Sequence, residues 1–199
     1  MWTKEATLRF PLIEFLWPER SWAANVSLVL GTSLLLALSA QIALPLPFSP
    51  VPVTAQTLFV LLAGAVLGSR LGTLSVFVYL AEGAVGLPFF AKGSAGLAYL
   101  RGVTAGYLLG FVVAAYVVGL LVERGWGRKF STAVLAMLVG NLVLYGFGVP
   151  WLQNILHISL GKALAIGLYP FILGDLYKIG LASVLLPSLW SFFGKPKAY

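Results

Sequence analysis

The sequence predicts an all-α fold: a polytopic membrane protein of six transmembrane helices in a compact bundle, with both termini cytoplasmic. Three observations predict it. The 199 residues are 60% hydrophobic and 10% charged, with a mean hydropathy of +0.96, whereas soluble domains are about 45 to 50% apolar and about 25% charged. Long runs without a charge alternate with short polar connections. Lysine and arginine gather on every second connection. At about 20 apolar residues per crossing, the chain has room for five to seven helices and for no appended soluble domain of any size. The absence of cysteine excludes disulfides, thiolate metal sites and cysteine nucleophiles. The one histidine, His157, cannot build a metal site unaided.

Residues 1–22 mix Lys4, Arg9 and Arg20 with Glu5, Glu14 and Glu19 among aromatics and prolines. This pattern predicts an amphipathic interfacial segment, because the compact basic-then-apolar order of a secretory signal is missing. Residues 23–199 then form the transmembrane domain. A charge-free stretch from Ala23 to Ser69 is divided by Pro45, Pro47, Pro50 and Pro52 into spans over 23–44 and 54–68, since proline stops a helix. Residues 72–86, which include Glu82, make a third span, followed by a Gly- and Ser-bearing loop to Gly102. A fourth span covers 104–122 and a polar connection 123–129. The fifth covers 130–147 and gives way to a broken segment, 148–161, with Pro150 at its start. The sixth runs over 163–190, interrupted by Pro170 and Gly174. Broken backbone at membrane depth is tolerated only where it is buried in protein or lines a cavity.

Connections assigned to one side carry Lys4, Arg9, Arg20, Arg70, Arg124, Arg128, Lys129, Lys195 and Lys197; the other side carries Lys92, Arg101 and Lys162. Positive residues stay cytoplasmic, so this bias places both termini inside a cytoplasmic membrane. The net charge of +7 is thereby a matter of topology, and nucleic acid is excluded as a partner. Small residues recur every fourth position at Gly64, Gly68 and Gly72, at Gly102, Gly106 and Gly110, and more loosely at Ser33, Ala37 and Gln41. Such stripes let helices approach closely. They serve internal packing or, for Ser33, Ala37 and Gln41, docking of a second membrane protein.

Asp175 and Lys178 stand three residues apart within 163–194, a run with no other charge. An ionisable group at the bilayer centre costs about 2.5 to 3.5 kcal/mol on insertion scales, so each needs a partner. Positions i and i+3 share a helix face. The pair therefore faces inward, as a ligand site or as a structural salt bridge. Glu82 also demands a partner, with Lys178 or Arg101 as candidates. Gln56 and Asn141 are polar groups that face inward, for a ligand or as glue between helices.

The segments Pro50-Val-Pro-Val-Thr-Ala-Gln-Thr-Leu58, Leu62-Ala-Gly-Ala-Val-Leu-Gly68 and Tyr79-Leu-Ala-Glu-Gly-Ala-Val-Gly-Leu-Pro-Phe-Phe-Ala91 resemble the BioY family, the biotin-binding S components of energy-coupling factor (ECF) vitamin transporters. The similarity continues through Gly93-Ser-Ala-Gly96, Thr104-Ala-Gly-Tyr-Leu-Leu-Gly-Phe111 and Pro170-Phe-Ile-Leu-Gly-Asp-Leu-Tyr-Lys178, and leaves out the first 22 residues. The resemblance implies a six-helix bundle that takes biotin from outside, with no cofactor, in partnership with a coupling transmembrane subunit and two ATPase subunits. It also implies that Asp175 and Lys178 line the pocket and that Ser94 sits in a glycine-rich loop closing over the ligand. Here Lys92-Gly93 and Ala95-Gly96 stand where the family pattern leads one to expect Gly-Gly pairs. Tyr107, with Phe89 and Phe90, can pack an apolar ring. Coupling is expected through Ser33, Ala37 and Gln41.

Three rival readings compete. An enzyme needs carboxylates or histidines around a reacting bond, and only Glu82 and Asp175 are deep. A self-sufficient transporter would show paired broken helices, and one break is evident. An S component for a different vitamin shares every feature above. No phosphate-binding glycine loop with a following Lys and Ser or Thr is present, so ATP must be hydrolysed by other chains.

Overall fold

The computed structural model describes residues 10–193. Half of the expected interfacial segment's charges (Lys4, Glu5, Arg9), together with Lys195, Lys197 and both termini, lie outside the described residues. The elements in chain order are α1 (Leu12–Leu16), α2 (Trp22–Gln41), β1 (Ala43–Leu46), β2 (Ser49–Thr54), α3 (Gln56–Ala84), α4 (Ala105–Glu123), α5 (Phe130–Leu156), α6 (Leu160–Gly167) and α7 (Ile172–Phe193). Five helical stretches are long and apolar enough to cross a membrane, with α6 and α7 counted as one. Leu36, Val60, Tyr79, Phe90, Val118, Met137, Leu144, Leu152 and Leu186, drawn from every long helix and one loop, are fully buried in a single core.

The expected second and third spans are the two arms of α3, which is broken at Gly68 (φ 85, ψ 176). That backbone conformation is accessible to essentially no residue but glycine. The chain reverses there: Gln56 meets Tyr79 across the arms, and a Cβ on Gly72 would lie 2.5 Å from the Ala63 carbonyl oxygen. The freed Ser69 N–H at the start of the second arm donates to Glu123 Oε1 at 2.7 Å, so the end of α4 caps the break. Gly64 lies against the Ala115 backbone of α4, and Gly106 against Trp151 of α5. These stripes pack the bundle internally.

One element is added to the expected fold and one boundary is corrected. The fold is mostly helical, and the proline-rich stretch adds an antiparallel β1–β2 hairpin with an irregularity between Leu44 and Leu46. In a two-stranded ladder every strand is an edge, and edges accept proline on their unpaired side. The fifth span does not stop at 147; α5 continues through Pro150 to Leu156 and ends where His157 turns left-handed (φ 52). Membrane helices tolerate proline when neighbouring groups satisfy the freed carbonyl, and at about 1.5 Å per residue α5 is about 40 Å long, beyond the hydrocarbon thickness.

At the Gly68 end, α1 lies across the bundle. Pro11 abuts Gly68, Phe15 meets Trp190 at 5.4 Å, and Arg128 stacks on Trp190 at 4.2 Å. Arg20 fixes the junction by donating to the Ile13 and Trp17 carbonyls and to Asn25 Oδ1 at 2.8 to 2.9 Å.

Candidate functional site

The sixth expected span is interrupted at Pro170, between α6 and α7, by a 3-10 turn at Tyr169–Phe171, while Gly174 lies within α7. An interrupted helix leaves carbonyls without partners. Two are taken up from a distance: Ser49 Oγ of β2 donates to Ile166 O at 2.6 Å, and Tyr107 OH of α4 to Gly167 O at 2.7 Å. These bonds fix the start of α7, and with it Asp175, which lies in the first helical turn. A carboxylate there is favoured by the positive end of the helix dipole.

Asp175 and Lys178 form the one ion pair among the described residues, at 3.2 Å, with side chains 7% and 17% exposed. Asp175 Oδ2 accepts from the Tyr145 hydroxyl, and Oδ1 from Thr57 Oγ1 at 3.3 Å. Lys178 Nζ donates to Thr54 O at 2.8 Å, Thr57 Oγ1 at 2.8 Å and Asp175 Oδ1 at 3.2 Å. An ammonium has three donors, so all are engaged. Thr57 is the hinge of this network, accepting from Lys178 while donating to Asp175.

A cavity opens beside the pair, with about 520 Å³ of empty space that includes its open mouth. Its polar wall is Thr54, Gln56, Thr57, Tyr145, Asp175 and Lys178, and its apolar wall includes Val51, Leu108, Phe111, Leu144 and Phe171. Gln56 donates to Tyr79 OH at 2.7 Å, which leaves its carbonyl oxygen without a protein partner. Tyr107 and Tyr145 meet edge to face at 6.2 Å, so Tyr107 offers its ring while its hydroxyl is committed to Gly167. Oxygen donors, amides and aromatic rings suit a polar organic ligand with an apolar body. Among the described residues, no group of three or more metal-ligating side chains occurs.

The structure brings Asp175, Lys178, Gln56 and Tyr107 together and leaves the other candidates elsewhere. Ser94 is absent from the cavity wall, and what it contributes is backbone: its N–H donates to Ala91 O and its carbonyl accepts from Phe90 N–H. Asn141 donates to Met137 O of its own helix, and its buried Oδ1 has no partner. Glu82 pairs with neither Lys178 nor Arg101, and its buried Oε2 is unpartnered. Ser33 and Ala37 are 1% and 4% exposed, so two of the three residues of the stripe expected to dock a partner face the bundle interior, and Gln41 alone is exposed. Gln41 bonds the loop after α3. The sequence reading missed Thr54, Thr57, Tyr145 and Tyr99. A threonine beside Gln56 was the available hint, whereas Tyr145 carried none beyond one hydroxyl in an apolar run.

A bundle of membrane-spanning helices that buries one ion pair at a broken helix, beside a partly open cavity, defines a multi-pass membrane protein with a candidate small-molecule site. The chain belongs to the BioY family, whose model matches residues 12–195. It is 39% identical to the biotin transporter BioY of Thermotoga maritima over 76% of this chain and 86% of that one. It is also 39% identical to the probable biotin transporter BioY of Pyrococcus horikoshii, over 84% and 96%. A crystal structure of the S-component for biotin from an ECF-type ABC transporter superposes with a TM-score of 0.75 at 25% identity, covering 85% of this chain and 92% of that chain.

Proposed function

We propose that this chain is the biotin-binding S component of an ECF-type uptake transporter, a non-enzymatic membrane subunit. The observation that carries the reading is the Asp175–Lys178 pair, buried at the helix break and lining the cavity. Family membership supplies the ligand. Biotin presents a carboxylate on a flexible chain and a fused ring whose ureido group has two N–H donors and one carbonyl acceptor. Asp175 and the Gln56 carbonyl oxygen can accept from the ureido group, Lys178 can neutralise a carboxylate or donate to a carbonyl, and the Tyr107, Tyr145 and Phe171 rings can pack the bicycle.

In this reading α2, the two arms of α3, α4, α5 and α6 with α7 make six crossings of a cytoplasmic membrane, both termini inside. Residues 1–22 are the interfacial segment and 23–199 the substrate-binding domain. The coupling transmembrane subunit and two ATPase subunits are separate chains. On α2 a coupling subunit would meet Gly31, Leu34, Leu38 and Gln41, which are exposed, since Ser33 and Ala37 are buried.

Equilibrium binding of labelled biotin to the purified protein in detergent, with thiamine and riboflavin as competitors, tests the assignment. Biotin should be held and neither competitor should displace it at a hundredfold excess. Displacement by another vitamin, or no retention of biotin, would reassign the ligand.

A further inference from the structure

The loop at 85–104 covers the cavity, contributing Ala91, Tyr99 and Thr104 to its wall. It is fastened at several points: Gly96 N–H donates to Gly83 O at 2.7 Å, the Tyr79 hydroxyl to Phe89 O at 3.4 Å and Trp151 Nε1 to Gly102 O at 3.0 Å. Phe90 is fully buried, stacked on Tyr99 at 4.8 Å, set edge-on to Tyr79 at 5.8 Å and pressed against Gly83. The segment just beyond it, 90–94, is a tight turn closed by Phe90 N–H to Ser94 O at 3.0 Å, with Lys92 (φ 59) and Gly93 (φ 70) both left-handed. A non-glycine residue in that conformation persists only where its surroundings hold it.

One side chain from another element holds it. Gln41, the last residue of α2, accepts from Gly93 N–H at 2.9 Å through Oε1 and donates through Nε2 to Ala37 O at 3.1 Å and Phe90 O at 3.2 Å. Pro88 O and Phe89 O stand at 3.4 and 3.5 Å and share the same two N–H groups. A primary amide serves a donor and an acceptor of one turn at once, which neither a carboxylate nor an ammonium does. Its bond to Ala37 O anchors the amide to its own helix. The contact is exposed on its outer side, so water competes for it, as suits a fastening that must release.

We propose that Gln41 is the latch that holds the 85–104 loop shut over the cavity, a positioning residue that sets how fast ligand enters and leaves. This deepens the biotin-binding reading and rests on it for the ligand. Loosening a lid lowers one barrier crossed in both directions, so the association and dissociation rates rise together while affinity changes little. Loss of a ligand contact raises dissociation alone, and loss of packing lowers the melting temperature and the fraction of protein that binds.

The experiment uses the full chain in detergent, comparing wild type with Gln41→Met, which keeps length and removes both hydrogen-bonding functions, and Gln41→Glu, which keeps the acceptor for Gly93 N–H. Association and chase of labelled biotin should both accelerate at least fivefold in Gln41→Met, with Kd within about threefold of wild type and an unchanged melting temperature. Gln41→Glu should fall between. A ligand-free readout runs alongside: the chain has no cysteine, so Ala91→Cys, at a buried position that lines the cavity, reports lid opening by its rate of maleimide modification, expected to rise at least fivefold when Gln41→Met is added. Unchanged modification and exchange rates, faster dissociation alone, or a lowered melting temperature would each overturn the latch. A wild type that fails to retain biotin while the maleimide rate still responds to Gln41 would overturn the ligand assignment and leave the latch standing.

Discussion

At the scale of single residues, the site is built from groups that satisfy one another before any ligand arrives. Lys178 uses all three donors and Asp175 both oxygens. Removing one partner of a buried pair costs about 3 to 5 kcal/mol, because the other charge is left uncompensated. Lys178→Ala alone should therefore melt at a lower temperature than the Asp175→Asn/Lys178→Ala double variant, which leaves no buried charge. If the pair also holds biotin, the double variant recovers stability without recovering affinity. Full recovery of both would make the pair a structural bridge. Tyr145→Phe, which deletes the donor to Asp175 Oδ2, should weaken biotin binding about five- to tenfold, from the loss of a charge-assisted hydrogen bond worth about 1 to 1.5 kcal/mol; calorimetric titration reads it. Lys92 illustrates what a sequence hides. A non-glycine residue stands where a glycine pair was expected, and the structure shows its side chain in a left-handed turn, costing about 1 to 2 kcal/mol. Lys92→Gly relieves this but adds unfolded-state entropy of about 0.5 to 1 kcal/mol, so a net stabilisation of roughly 0.5 kcal/mol is expected in thermal unfolding.

At the scale of elements, the reversal at Gly68 is the fold's most demanding joint. A Cβ there would lie 2.8 Å from both Glu123 Oε1 and Pro11, on top of a backbone conformation closed to other residues. Gly68→Ala should destabilise the protein by at least about 2 kcal/mol, seen as a lowered melting temperature and poor recovery from membranes; an unchanged melting temperature would mean that the joint can be relaxed. Glu123→Ala, which removes only the cap on Ser69 N–H, should cost about 1 kcal/mol. How legible each element was in the sequence follows from the strength of its local signal. The break before Asp175 was readable because Pro170 opposes continuation of the preceding helix, whereas Gly174, the other expected breaker, is helical within α7. Pro150 carries the same local signal, and tertiary packing overrode it. The hairpin at 43–54 was hidden for a related reason: four prolines argue against a strand, and only pairing with a partner strand reveals that their missing N–H groups are not needed. The role of Gln41 was not legible, since it depends on a loop about 50 residues away.

At the scale of the whole molecule, one end of the bundle gathers Arg20, Arg70, Arg124, Arg128 and Lys129 around α1 and the Gly68 joint, while the cavity and its covering loop belong to the other. In the proposed topology the positive-inside bias assigns the basic end to the cytoplasm and the cavity to the outside. Single cysteines test this without background labelling, because the native chain has none. Ser159→Cys should react with an impermeant maleimide on intact cells and Trp126→Cys only after permeabilisation; the opposite pattern would invert the topology. The central claim is that the buried pair at the broken helix grips the vitamin. The most direct test is the equilibrium dissociation constant of labelled biotin for purified wild type, Asp175→Asn and Lys178→Ala under identical conditions. Each substitution should weaken binding at least tenfold, about 1.4 kcal/mol, in protein that remains folded; undiminished affinity in both folded variants would contradict the account.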